Sequence, residues 1–158
     1  MRAFLVAISL MALTAAASVE AGPQSALSQG GNTRVESAWA RLAPNQDDTA
    51  SVFFEVSNGA GKPDVLLSAS SPNAKTVSLR RGKFLGYSFF NKESDGIKIS
   101  ACERTSFHPG AFEITLSDFT MPVEVRTTLP VTLVFRDAGV VQIEATVSYQ
   151  LLGNRINK

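Results

Sequence analysis

Between Thr33 and Gln150 the chain has no helical period. It is a succession of short segments rich in Val, Phe, Ile and Thr, closed off by Pro, Gly, Asn and Asp. Apolar runs of this kind bury their side chains as strands of a shared sheet. Strands are predicted over 34–42, 50–57, 65–70, 76–79, 86–90, 97–100, 106–108, 112–116, 123–126, 131–135 and 140–149. Alternation is clearest in VQIEATVSY. There Val141, Ile143, Ala145, Val147 and Tyr149 share one face, and Gln142, Glu144, Thr146 and Ser148 share the other. The nearly continuous apolar run VTLVF, residues 131–135, predicts a central strand. Many short strands with regular turn signals predict an all-β chain, an antiparallel sandwich or barrel, with no second domain and no internal repeat.

The flanks read differently. Residues 1–21, MRAFLVAISLMALTAAASVEA, place Arg2 before an apolar run from Ala3 to Ala17 and small residues near Ala21. This is the pattern of a secretory signal peptide, too short for a membrane span of about 20 residues. Cleavage is expected after Ala21, with Ala17 as the alternative. No Cys follows the run, so an N-terminal lipid anchor is not expected. The predicted product is soluble, exported and periplasmic. Residues 22–32, GPQSALSQGGN, predict a flexible leader, 33–150 the domain, and 151–158 a short polar tail.

The formal net charge is +1, from 15 Lys and Arg against 14 Asp and Glu. That balance disfavours a nucleic-acid partner. Beyond residue 21 the soft and imidazole donors are one Cys, one His and one Met: Cys102, His108 and Met121. A disulfide framework and a zinc site of three or four Cys and His are excluded. No phosphate loop, calcium loop or nucleophile motif is present, and no enzyme is expected. His108, in FHPG, is placed on a turn, where it is either a solvent-facing residue or a metal ligand. Cys102 and Met121 read as small or loop-filling residues, or as helpers to His108. The run 78–92, SLRRGKFLGYSFFNK, interleaves Arg80, Arg81, Lys83 and Lys92 with Phe84, Tyr87, Phe89 and Phe90. It is either a cationic, aromatic surface for an anionic partner or, on the charge balance, a hairpin turning at Gly82-Lys83.

Several blocks carry a family resemblance. They are VESAWARLAP (35–44), the strand from Ala50 to Asn58, ASSPNA (69–74), Gly96-Ile97, Phe107-x-Pro109-Gly110 and LPVTLVFRDAGVVQIEATV (129–147). Across residues 34–147 the chain resembles the periplasmic copper chaperones of the PCu(A)C family. The resemblance implies a cupredoxin-like Greek-key β-sandwich and the carriage of Cu(I) toward cytochrome oxidase. It also implies a site of two His and two Met, donors that suit a soft monovalent ion. In this chain those four positions fall on Arg80, Phe89, Glu113 and Thr115. Arg offers no lone pair, Phe no donor atom, and Glu a hard oxygen.

Two expectations follow. One is an exported copper-homeostasis protein with a degenerate or relocated site, led by His108 with Glu113, Cys102 or Met121, with or without completion across a homodimer. Cu(II) then suits the donors better than Cu(I), and the partner is a copper-donating or copper-accepting periplasmic protein. The other is a metal-free binding module in which Arg80 and Glu113 form an ion pair that closes the old pocket.

Overall fold

A computed structural model describes residues 28–43, 46–83, 89–92 and 95–148, and every regular element among them is a strand. In chain order these are β1 (Ser28–Gly30), β2 (Thr33–Ala43), β3 (Gln46–Asn58), β4 (Asp64–Ser70), β5 (Ala74–Lys83), β6 (Phe89–Lys92), β7 (Ile97–Ile99), β8 (Arg104–Phe107), β9 (Phe112–Phe119), β10 (Thr128–Phe135) and β11 (Gly139–Val147). They form one hydrogen-bonded path, β6-β5-β9-β8-β3-β2-β11-β10-β4-β7, with β1 added on β2 and β9 also paired to β3. The β10–β11 hairpin lies between β2 and β4, so the connection from β3 to β4 crosses over it in the manner of a Greek key. Pairing is antiparallel except for short parallel contacts between β11 and β2 and between β8 and β9.

The path curls around one apolar core. In β11 the alternation holds as predicted: Val141, Ile143, Ala145 and Val147 are buried, while Gln142, Glu144 and Thr146 are exposed. Register sets Ala145, Ile143 and Val141 against Leu129, Val131 and Leu133 of β10, all buried. Val35, Ala40, Val52, Phe54, Val56, Leu66, Ile97, Ile99, Ile114 and Leu116 complete the centre of that core. Each large side chain of this kind contributes roughly 1.5–3 kcal/mol through removal from water.

Three sequence expectations are corrected. Ser28–Gly30, placed in the flexible leader, pairs with Thr33–Val35 around Gly31 at φ 56°. Residues 123–126, read as a strand, form a turn instead, with Arg126 at φ 75° and the Thr127 N–H donating to the Glu124 carbonyl at 3.0 Å. Val123 and Val125 pack on the core from that turn, so their apolar character serves burial without a ladder. Gly82 and Lys83 do not form the hairpin turn: they pair with Phe90 and Phe89, and the connection falls within 84–88. Those connecting residues, the expected signal peptide 1–21, Tyr149 and the expected tail 151–158 lie outside the described residues.

A bulge in β2 decides what the outer face carries. The pairing with β3 slips between Glu36 and Trp39, where Ser37 sits at φ 56°. Val35 and Ala40 both point into the core although they are five positions apart, an odd offset that an unbroken pleat forbids. The extra residue therefore turns Trp39 and Arg41 outward.

Candidate functional site

The outer face beside that bulge is built from four strands. Register aligns Arg41 with Ser51 and Trp39 with Phe53 across β2 and β3, and Ser51 with Thr115 across β3 and β9. Across β9 and β5 it aligns Thr115 with Ser78 and Glu113 with Arg80. The alternate residues Val52, Ile114 and Leu79 go to the core, so these polar side chains share the opposite face. Arg80 and Glu113, two of the positions where the resemblance implies ligands, are thus direct cross-strand neighbours. Thr115 stands two residues along on the same face. Phe89 pairs with Lys83, three rungs along the hairpin from the Arg80–Lys92 pair.

Glu113 is only 4% exposed. Burial pushes its carboxyl above the usual carboxylate range, against hydrogen bonds from Thr115 and Ser51 and the positive charges of Arg80 and Arg41. The Thr115 hydroxyl donates to Oε1 at 3.3 Å. Arg80 and Glu113 make no direct ion pair among the described residues, so the contact expected to close the pocket is a longer-range attraction. The Arg80 Nε is buried and has no hydrogen-bond partner among the described residues. Phe53, on the same outer face opposite Trp39, is fully buried yet outside the main core cluster. Trp39 packs on it with ring centroids 4.5 Å apart, and the Arg41 guanidinium sits 5.6 Å above its ring.

His108 lies on the turn that interrupts the β8–β9 edge. The His108-Pro109-Gly110-Ala111 order, with Gly110 at φ 88° and the Ala111 N–H donating to the His108 carbonyl at 3.0 Å, has the residue pattern of a type II turn. His108 is exposed, and its Nδ1 lies 3.1 Å from the Pro109 carbonyl oxygen. The Gly82 N–H donates to the Ala111 carbonyl, which brings the turn against β5 two residues from Arg80. A Cβ on Gly82 would stand 2.6 Å from the Gly110 carbonyl oxygen. We therefore expect Gly82→Ala to lower stability by about 1–3 kcal/mol, measured by urea denaturation. A loss below about 0.5 kcal/mol would show that the turn does not rest on β5.

Cys102 and Met121 lie far apart on the scaffold. Cys102, exposed at φ 55° between β7 and β8, donates its Sγ–H to the Ala60 carbonyl at 3.6 Å, beyond the Asn58 end of β3. Met121 follows β9, is 51% exposed, and accepts the Asn73 amide at 3.1 Å, toward the Thr49 end of β3. From Thr49 to Asn58 an extended strand spans about 30 Å. Glu113 is central to the sheet, beside the His108 turn. No group of three His, Cys, Asp or Glu able to hold a metal occurs among the described residues. Ser51, Arg41, Trp39 and Phe53 were not legible as site residues. The bulge that brings Trp39 and Arg41 to this face leaves no mark in the alternation pattern.

The fold is that of a PCuAC-type copper-chaperone domain. The structure superposes on the copper-bound PCuAC domain from PmoF2 with a TM-score of 0.63 at 26% identity, covering 79% of this chain and 97% of that one. The apo form of the same domain gives 0.64 at 27%, covering 78% and 94%. The solution structure of CuI-DR1885 from Deinococcus radiodurans gives 0.60 at 20%, covering 87% of each, a likeness of fold. A family model described as "Putative lipoprotein LpqE-like" matches residues 33–147, and the chain belongs to that LpqE-like family. No curated protein matches it.

Proposed function

We propose that this chain is an exported, non-catalytic protein of the copper-chaperone class whose inherited copper position is degenerate and works as a metal-free polar binding position. The observation that carries this reading is the pairing of Arg80 with Glu113 on adjacent strands, where the family resemblance implies imidazole donors. A fixed guanidinium repels a cation, and the buried carboxylate beside it is a hard donor unsuited to Cu(I). The same reading includes a cleaved segment 1–21, periplasmic residence and a polar tail 151–158. Its partner would be another exported protein of copper delivery, or a second copy of the chain.

One observation favours relocated copper binding as the alternative. His108 is exposed on a turn held against Gly82, at the margin of the inherited position. Glu113 is the nearest of the other candidate ligands by strand position, whereas Cys102 and Met121 stand at opposite ends of β3. A His and carboxylate pair suits Cu(II) better than Cu(I).

The deciding experiment titrates residues 22–158 separately with Cu(I) and Cu(II), with His108→Ala as the comparison. The expected result is no uptake better than micromolar in either state. Stoichiometric binding that His108→Ala removes would establish the relocated site, and with it a copper-carrying role.

A further inference from the structure

We propose that the β5–β6 hairpin is a docking edge for an acidic, extended segment of a partner protein, which adds to β6 as a further strand. The inference goes beyond the metal-free reading and does not depend on it, because the new strand lies on the side of β6 away from Glu113.

Its first support is topological. β6 ends the hydrogen-bonded path, with β5 as its one neighbour among the described residues. Phe89–Lys92 therefore carries a second row of backbone N–H and C=O groups with no described strand to take them. An edge of this kind accepts an extended peptide through main-chain hydrogen bonds. The hairpin also stands clear of the core. Leu79 is buried, yet Arg81, two residues along the same face of β5, is exposed, with its guanidinium 5.1 Å from the Phe112 ring.

The second support is charge. Residues 78–92 hold four Lys and Arg and no Asp or Glu, which leaves 11 against 14 for the rest of the chain. A positive lobe thus sits on an otherwise acidic molecule. Register pairs Arg80 with Lys92, Arg81 with Asn91 and Lys83 with Phe89. Positions 80 and 92 share one face of the hairpin, and positions 81 and 83 belong to the other. The Arg80–Lys92 rung sets like charges directly opposite each other, an arrangement that destabilises an antiparallel pair. Glu113 borders that rung from β9, whereas on the β6 side the acids resume at Glu93, past the end of the strand.

These charges choose the occupant. A second copy adding its own β6 would set one cationic row against another, which is how edge lysines block self-pairing. A carboxylate opposite Lys92 instead stands about 5 Å from it between Cβ atoms, and about 10 Å from Arg80 in the following strand. An acidic residue at the next position lies opposite Asn91, with Arg81 in the strand behind. Opposite Phe90 and Phe89, β-branched residues gain cross-strand contact. A nucleic acid or an anionic lipid would answer the charges and leave the backbone row unpaired, so an extended peptide is the fuller match.

The test titrates the isotope-labelled mature chain, residues 22–158, with the end-blocked peptide Thr-Glu-Asp-Val-Val-Thr at about 20 mM salt. Saturable NMR shifts, slowed amide exchange at Phe89–Lys92 and intermolecular backbone NOEs to that strand are expected. Raising the salt to about 0.3 M should weaken binding at least five-fold. The counterpart with Lys at both acidic positions should bind at least ten-fold more weakly. So should the acidic peptide N-methylated at alternate residues, which keeps the charge and loses the pairing. Lys92→Glu puts opposite charges on the Arg80 rung, so it should fold at least as stably as the parent chain. Combined with Lys83→Glu, it should weaken the acidic peptide at least ten-fold and reverse the preference toward the Lys peptide. Absence of saturation, or saturation confined to residues outside the hairpin, overturns the proposal. Equal binding of the methylated peptide overturns it as well, because charge alone would then suffice. Phosphatidylglycerol vesicles that engage the hairpin and exclude the peptide would assign this edge to a membrane and likewise overturn it.

Discussion

Replacing Asp64 by Ala is expected to lower the unfolding free energy by about 3 kcal/mol at neutral pH. Asp64 opens β4 and is only 3% exposed. Its Oδ1 accepts the N–H groups of Val65 at 2.7 Å and Asp137 at 2.9 Å, and its Oδ2 accepts that of Ala138 at 3.0 Å. One carboxylate thereby joins the start of β4 to the turn of the β10–β11 hairpin. Ala would leave three backbone donors short of an acceptor, each a loss of about 1–3 kcal/mol before relaxation. The carboxylate also makes this contribution depend on pH. Burial opposes its ionisation, but the Asp137, Ala138 and Val65 N–H groups and the Lys62 charge together outweigh burial, so its pKa lies below the ordinary 3.8. A carboxylate with a lowered folded pKa adds stability that is complete above the unfolded value and is lost as pH falls through the folded one. Urea denaturation should therefore show the gap between wild type and Asp64→Ala narrowing below about pH 4. A gap that stays constant down to pH 2 would mean that the hydrogen bonds do not require the charge.

Much of this architecture was legible because it rests on local chemistry. The period of two in β11 follows from one wet and one dry face, and the His108-Pro109-Gly110 turn from the φ that Pro fixes and the positive φ that Gly accepts. Other features depend on partners that a single strand does not announce. Val123 and Val125 look like strand residues because burial selects the same side chains in a turn packed on the core. Ser28–Gly30 looks like a leader because SQG has no β-branched or apolar residue to mark a strand, and its pairing with β2 appears only in the register. The site divides in the same way. The positions Arg80 and Glu113 come from the ordered blocks of the family resemblance, and their adjacency becomes visible only in the β5–β9 register. The surroundings that give Glu113 its character could not be read at all. Trp39 and Arg41 reach that face through a bulge at Ser37, a non-Gly residue at φ 56° that composition does not betray.

The same register makes the proposed loss of a copper position testable by reversal. Arg80→His, Glu113→His and Thr115→Met, introduced together, are expected to raise Cu(I) affinity at least a hundred-fold, about 2.7 kcal/mol of binding free energy. Residues directly opposite on antiparallel strands hold their Cβ atoms about 4.5–5.5 Å apart, so imidazoles at 80 and 113 can reach one ion. A thioether at 115 lies two residues along the same face, within the reach of a Met side chain. Removing Arg80 deletes the charge that repels a cation, and removing Glu113 replaces a hard oxygen with nitrogen, which suits the soft ion better. The Phe53–Trp39 ring pair on the same face is untouched, so the new donors stand on the existing scaffold. Competition against a chromophoric Cu(I) chelator measures the gain. The double variant Glu113→His, Thr115→Met should recover little of it, because the retained Arg80 still places a positive charge beside the ion. If the triple variant binds Cu(I) no more tightly than the parent chain, then strand adjacency at 80 and 113 does not mark the inherited site. The carboxylate and guanidinium found there would then need an explanation unrelated to copper.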